Sequence, residues 1–117
     1  MQDWLNHEGF IDYAVIDHQH DMHAHGVTHA PWAYTLIFGR PVGGAKFLKI
    51  APTAVADMPI RIGIYEYFGH SVVVYHTMSS LLAEHAETLR SEGILIDQTI
   101  DRMCEIVGAV KSPCVTA

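Results

Sequence analysis

The chain has 117 residues, enough for one packed core and too few for two. Half of them are apolar and 17% are charged, which points to a folded globule and excludes a disordered tail. Seven basic against thirteen acidic residues leave a formal charge of −6, which argues against nucleic acid and against a polybasic membrane anchor.

The longest apolar stretches, Tyr13 to Ile16, Tyr34 to Gly39 and Val72 to Tyr75, fall far short of the roughly 20 residues of a spanning helix. No basic start followed by an apolar run opens the chain, so no secretory leader is expected and the reading is cytoplasmic. Two cysteines, Cys104 and Cys114, are too few for a disulfide scaffold.

Residues 1–10 read as a short helix carrying Trp4 and Leu5, with Gly9 as its stop. Ile11 to Asp17 reads as a strand whose two faces are both buried. A His-rich segment follows and ends near Gly26. Trp32 to Phe38 is the next strand, rich in aromatic and β-branched residues. Gly39-Arg-Pro-Val-Gly-Gly reads as a turn, and Ala45 to Ile50 as a short helix or coil closed by Ala51-Pro52. Ile60 to Tyr67 and Ser71 to His76 form a hairpin about Phe68-Gly69-His70. The last third is helical. Met78, Leu81, Leu82, His85 and Leu89 make one apolar stripe that Gly93 interrupts. Ile96, Ile100, Met103, Val107 and Val110 make a second, stopped by Ser112-Pro113. Four strands and two terminal helices imply an α+β domain with helices on one face of a mainly antiparallel sheet.

The run Tyr34-Thr-Leu-Ile-Phe-Gly-Arg-Pro resembles the hallmark strand and loop of the family called domain of unknown function 302 (DUF302). Ile50-Ala-Pro-Thr-Ala-Val-Ala-Asp-Met-Pro-Ile resembles its next segment. Ile16-Asp17-His18, the hairpin from Ile64 to His76, and Leu81-Leu-Ala-Glu-His keep the family's order, so the resemblance spans about residues 11–90. It implies a TATA-binding-protein-like β-α-β4-α domain, often a homodimer, and no agreed activity. Relatives carry a strand and a full helix before the Ile-Asp-His position, where this sequence has about ten residues. The resemblance therefore implies a missing first strand, or one supplied by a partner chain. Two loops also depart from the family: Arg40 stands where Asn is expected, and His76-Thr-Met where Asn-Asp-Pro is expected.

Nine residues are His, and five of them fall between His18 and His29. Protonating all nine would carry the formal charge from −6 to −6 + 9 = +3. Imidazole binds zinc, copper, nickel and haem iron, and the Met22 thioether suits copper(I). As an extended chain the segment would present His18 with His20, and His23 with His25, as two claws. As a helix, the form relatives favour, it would set His18, Met22, His25 and His29 on one stripe. A solvated polar helix that merely happens to be His-rich is the plain alternative.

Trp32, Tyr34, Tyr65 and His76 are candidates for a flat ligand pocket, against a plain role as sheet core or interface. His85 reads as a half-buried packing residue with one hydrogen bond. Glu66 with Asp57 or Asp17 is a weak carboxylate pair, and no Ser or Cys nucleophile has a base beside it in sequence. The leading expectation is a dimeric, non-catalytic protein that holds a metal ion or haem for sensing, buffering or delivery, with no catalytic residue assigned. A cofactor-free assembly domain joined through its sheet is the alternative. A further one is an enzyme acting on a small ligand at the Gly39–Gly44 loop.

Overall fold

A computed structural model describes residues 2–114, and side chains from 2 to 110. Helix α1 (Gln2–His7) ends where Gly9 takes φ +84°, as expected of a glycine stop. Strand β1 (Ile11–Asp17) leads into α2 (His18–Ala24), and β2 (Ala33–Gly39) into α3 (Pro41–Ile50). A 3-10 turn (Pro52–Asp57) and a cis Met58–Pro59 peptide lead into β3 (Ile60–Tyr67). Then come β4 (His70–His76), α4 (Met78–His85), a 3-10 turn (Glu87–Leu89), α5 (Arg90–Val107) and β5 (Val110–Cys114).

The architecture is α+β. Strands β1 to β4 form an antiparallel sheet in chain order, and β5 lies parallel to β4. The alternation of β2, β3 and β4 sends Leu36, Phe38, Ile60, Ile62, Val73 and Tyr75 to one face. There they meet Leu5 of α1, Phe47 of α3, Leu82 of α4, and Ile100 and Met103 of α5 in one core. Helices cover this face, as the sequence implies, but four of them rather than two, and the sheet has five strands rather than four. At the hairpin, Phe68 and Gly69 both have positive φ, the backbone of a two-residue primed turn that follows the strand twist.

Several expectations change. Strand β1 is not buried on both faces: Ile11, Tyr13 and Val15 are exposed, because β1 is an edge with a single neighbour. Helix α3 begins at Pro41 rather than Ala45. Proline suits a first helical position, where its missing N–H is not needed. The Gly39–Gly44 run is therefore largely helix, not turn, and His70 opens β4 instead of sitting in the hairpin turn. Gly108, at φ +73°, ends α5, so Val110 belongs to β5 and not to the helical stripe. Ser112-Pro113 and Cys114, expected as a helix stop and tail, are strand residues paired with β4.

Gly93 is the largest reversal. It does not break a helix but lies buried inside α5, where an added Cβ would fall 2.5 Å from the Ser79 Cα and N. The glycine lets α5 touch the backbone of α4. Asp97, one turn further along α5, accepts from the Met78 N–H at 2.7 Å, the Ser79 N–H at 3.2 Å and the Ser79 hydroxyl at 2.7 Å. The cap of α4 therefore comes from another helix, while the Thr77 hydroxyl donates to Ser80 instead.

Gly93→Ala is expected to lower the denaturation midpoint, at a cost of about 2 kcal/mol or more, because the obstructing atoms are backbone. An unchanged midpoint would contradict the helix contact. Burial, with the Asp101 carboxylate accepting from its hydroxyl, raises the Tyr75 phenol above its ordinary value. The folded state then holds that proton more tightly than the unfolded chain. Its stabilising effect is complete below about pH 10 and is lost as pH rises beyond it. A phenolate absorbance titration should show a late step that Tyr75→Phe removes; retention of that step in the variant would contradict the assignment.

Candidate functional site

The His-rich segment folds as the short helix α2. Asp17 caps it, accepting from the His20 N–H at 3.0 Å, and Gly26 at φ +89° follows its end. No residue of α2 is buried. The helix stops at Ala24, so the expected stripe of His18, Met22, His25 and His29 is cut and His29 lies beyond it. The reason is local: two residues past Ala24 the chain turns through a glycine with positive φ. His18 Nε2 lies 2.7 Å from the Thr35 hydroxyl, and His25 Nδ1 donates to the Asp21 carbonyl at 2.9 Å. His20, His23 and His29 are exposed. Among the described residues no three His, Cys, Asp or Glu come together as a group that could hold a metal ion.

The aromatic candidates do not converge either. Trp32 meets Tyr34 edge to face at 4.9 Å, and Tyr34 donates to Asp17. Burial and that carboxylate raise the Tyr34 phenol above its ordinary range. Tyr34 pairs with Ile64 and Tyr65 with Ala33, so the alternation of β2 and β3 turns the two tyrosines to opposite faces. Of the four, His76 lines a cleft.

Two concavities lie on either side of Met58-Pro59. The first is a cavity of about 430 Å³ between the β2–α3 junction and α5. Phe10, Phe47, Leu48, Ile60, Leu95 and Ile96 make it largely apolar. The β1 bulge between Asp12 and Ala14 brings in Tyr13, and Gly39 admits its ring: a Cβ there would meet Tyr13 at 3.4 Å. Gly44 leaves room for the Met58 methyl, which a Cβ would meet at 2.6 Å. Arg40 lies at the mouth, its guanidinium 4.0 Å over the Phe10 ring and donating to the Glu8 carbonyl at 2.5 Å. The Lys46–Glu92 pair, at 2.5 Å, bridges α3 to α5 beside it. The Gly39–Gly44 run thus lines a ligand-sized cavity.

The second is a smaller cleft of about 360 Å³ on the opposite side, lined by Thr35, Ala56, Asp57, Arg61, Gly63 and His76 among others. Asp57 there accepts from His85 Nε2 at 2.6 Å, and His85 Nδ1 lies 2.9 Å from the Thr53 hydroxyl. His85 therefore makes two hydrogen bonds, not one, and Asp57 pairs with it rather than with Glu66. Sequence reasoning missed this trio. Its members are 4 and 28 residues apart, and only the packing of α4 on the 3-10 turn unites them.

A helical layer on one face of an antiparallel sheet, with a cavity where β2 runs into α3, is the class of domain that these observations define. The chain belongs to the DUF302 family: the family described as domain of unknown function DUF302 matches residues 1–110. Among solved structures it is similar to the uncharacterized conserved protein DUF302 from Bacillus stearothermophilus. The TM-score is 0.70 at 15% sequence identity, covering 82% of this chain and 76% of that one. At that identity the likeness concerns the fold. No curated protein matches. No helix among the described residues is long and apolar enough to cross a membrane.

Proposed function

We propose that the protein is a small binding protein that takes up an apolar organic molecule carrying one acidic group. The observation that carries this reading is the cavity of about 430 Å³ between α3 and α5. Its size lies in the range of small-molecule sites, and its walls are chiefly side chains that prefer an apolar occupant. Arg40 supplies the polar end. Its donation to Glu8 uses one of five N–H donors, leaving others for a carboxylate at the mouth.

A second reading keeps the His18–His29 segment as the ligand set for copper, zinc, nickel or haem, used for sensing, buffering or delivery. The His25 bond supports it. A carbonyl oxygen only accepts, so in the neutral ring Nδ1 carries the proton and Nε2 keeps its lone pair for a metal. The described residues of one copy bring no three donors together, so this reading calls for a homodimer, which the edge strand β1 would serve. Both readings are of a cytoplasmic protein.

Calorimetry with decanoate and decanol tests the first reading. Saturable binding of decanoate is expected, weakened at least about tenfold by Leu95→Trp, which sets an indole across the rim. Arg40→Gln should weaken decanoate about tenfold and leave decanol unchanged, the signature of one charge-assisted contact. Absence of saturable binding, or indifference to Leu95→Trp, would remove the reading. For the second, metal analysis and sedimentation of untagged protein are expected to find a metal-loaded dimer that dissociates in chelator. His18→Ala with His25→Ala should bind less metal. If the double variant binds as well as the parent, the metal reading fails; a metal-free dimer indifferent to chelator leaves assembly through β1 alone.

A further inference from the structure

Thr53, His85 and Asp57 form a hydrogen-bonded line on the surface, away from the cavity assigned above. The chemistry of the two ends sets the state of the middle. A carboxylate only accepts, so in the neutral imidazole Nε2–H donates to Asp57. Nδ1 then carries the lone pair, and the Thr53 hydroxyl donates to it. That is the arrangement in which an imidazole can draw a proton from a hydroxyl while a carboxylate holds the ring. His85 is the last residue of α4, so the end of the helix delivers its ring to the 3-10 turn. The imidazole side chain is 15% exposed, so it is set against the turn and largely removed from solvent. Thr53 itself is exposed, and its neighbours Pro52, Ala54, Val55 and Ala56 put no bulky polar group over it. The cleft lined by Asp57, Arg61 and His76 meets the line at its carboxylate end, while the Thr53 end is open to solvent.

We propose that Thr53, His85 and Asp57 are a nucleophilic site for acyl transfer, acting on small activated esters. Thr53 Oγ1 forms a bond to the ester carbonyl carbon as its proton passes to His85 Nδ1. The bond to the leaving alcohol breaks, and that oxygen takes the proton from the imidazolium. Water then attacks the acyl-threonine, giving one proton to His85, which returns it to Thr53 Oγ1 as the carboxylic acid departs. The sum is ester plus water to acid plus alcohol, with His85 and Thr53 restored. Asp57 is a positioning residue, because it acts through the imidazole.

The test uses p-nitrophenyl acetate and the intact protein. A burst of about one equivalent of nitrophenolate is expected, with the acetyl group mapping to Thr53 by peptide mass spectrometry. Thr53→Ala should abolish both while unfolding at the same temperature as the parent. It keeps all nine histidines, so ester cleavage by surface imidazole is measured in the same sample. Thr53→Ser should retain the burst. His85→Gln, confirmed as folded by circular dichroism, should slow acylation at least about a hundredfold. Acetylation confined to other residues, or release unchanged in Thr53→Ala, would overturn the proposal and leave the trio as a clamp between α4 and the turn.

Discussion

The placement of α4 depends on its contact with α5. Asp97 reaches the first turn of α4 only because Gly93 has no side chain, which lets the two backbones touch. Hydrogen bonds to a charged acceptor contribute about 1.5–3 kcal/mol each, so three of them on one carboxylate rank with a large core side chain. The direction this gives α4 has consequences along its length. Met78 reaches the walls of both concavities, Leu82 enters the core, and His85 arrives at the 3-10 turn. One glycine and one aspartate on a neighbouring helix thus lie upstream of both concavities and of the His85 line.

The two concavities share a wall. Met58 and Pro59 line both, so the segment between the 3-10 turn and β3 has a largely apolar space on one side and a more mixed one on the other. The difference follows from the alternation of β3: Ile60 faces the core and the apolar cavity, whereas Arg61 faces out and lines the cleft.

Much of the sheet was legible in the sequence, because alternation along Trp32–Phe38 and Ile60–His76 has a two-residue period that burial enforces. The helical third was legible as helix and misread at its joints. Periodicity cannot tell a glycine that ends a helix from one that admits a neighbour, so Gly93 reads the same either way. Val110 falls three residues after Val107 and extends the apolar stripe on paper, while Gly108 at φ +73° has already turned the chain into β5. The sites were less legible. The histidine cluster is conspicuous in sequence, yet its helix is only seven residues long and holds its donors at the surface. Gly39–Gly44 looked like a turn because its function as a cavity wall depends on Met58 and α5, which are distant in sequence. Thr53, Asp57 and His85 carry no local pattern at all.

The two outer strands are not equivalent, which limits how copies of the sheet can join. Strand β5 contains Pro113, and a proline is accommodated in a strand where its nitrogen faces away from the ladder. The rim of β5 therefore lacks a donor that an incoming strand would need. Strand β1 has no proline and offers its backbone along seven residues. Two copies that meet along β1 do so about a twofold axis and leave only β5 rims outward. The edge of β1 is thus the rim better suited to strand addition, and the edge of β5 the poorer one.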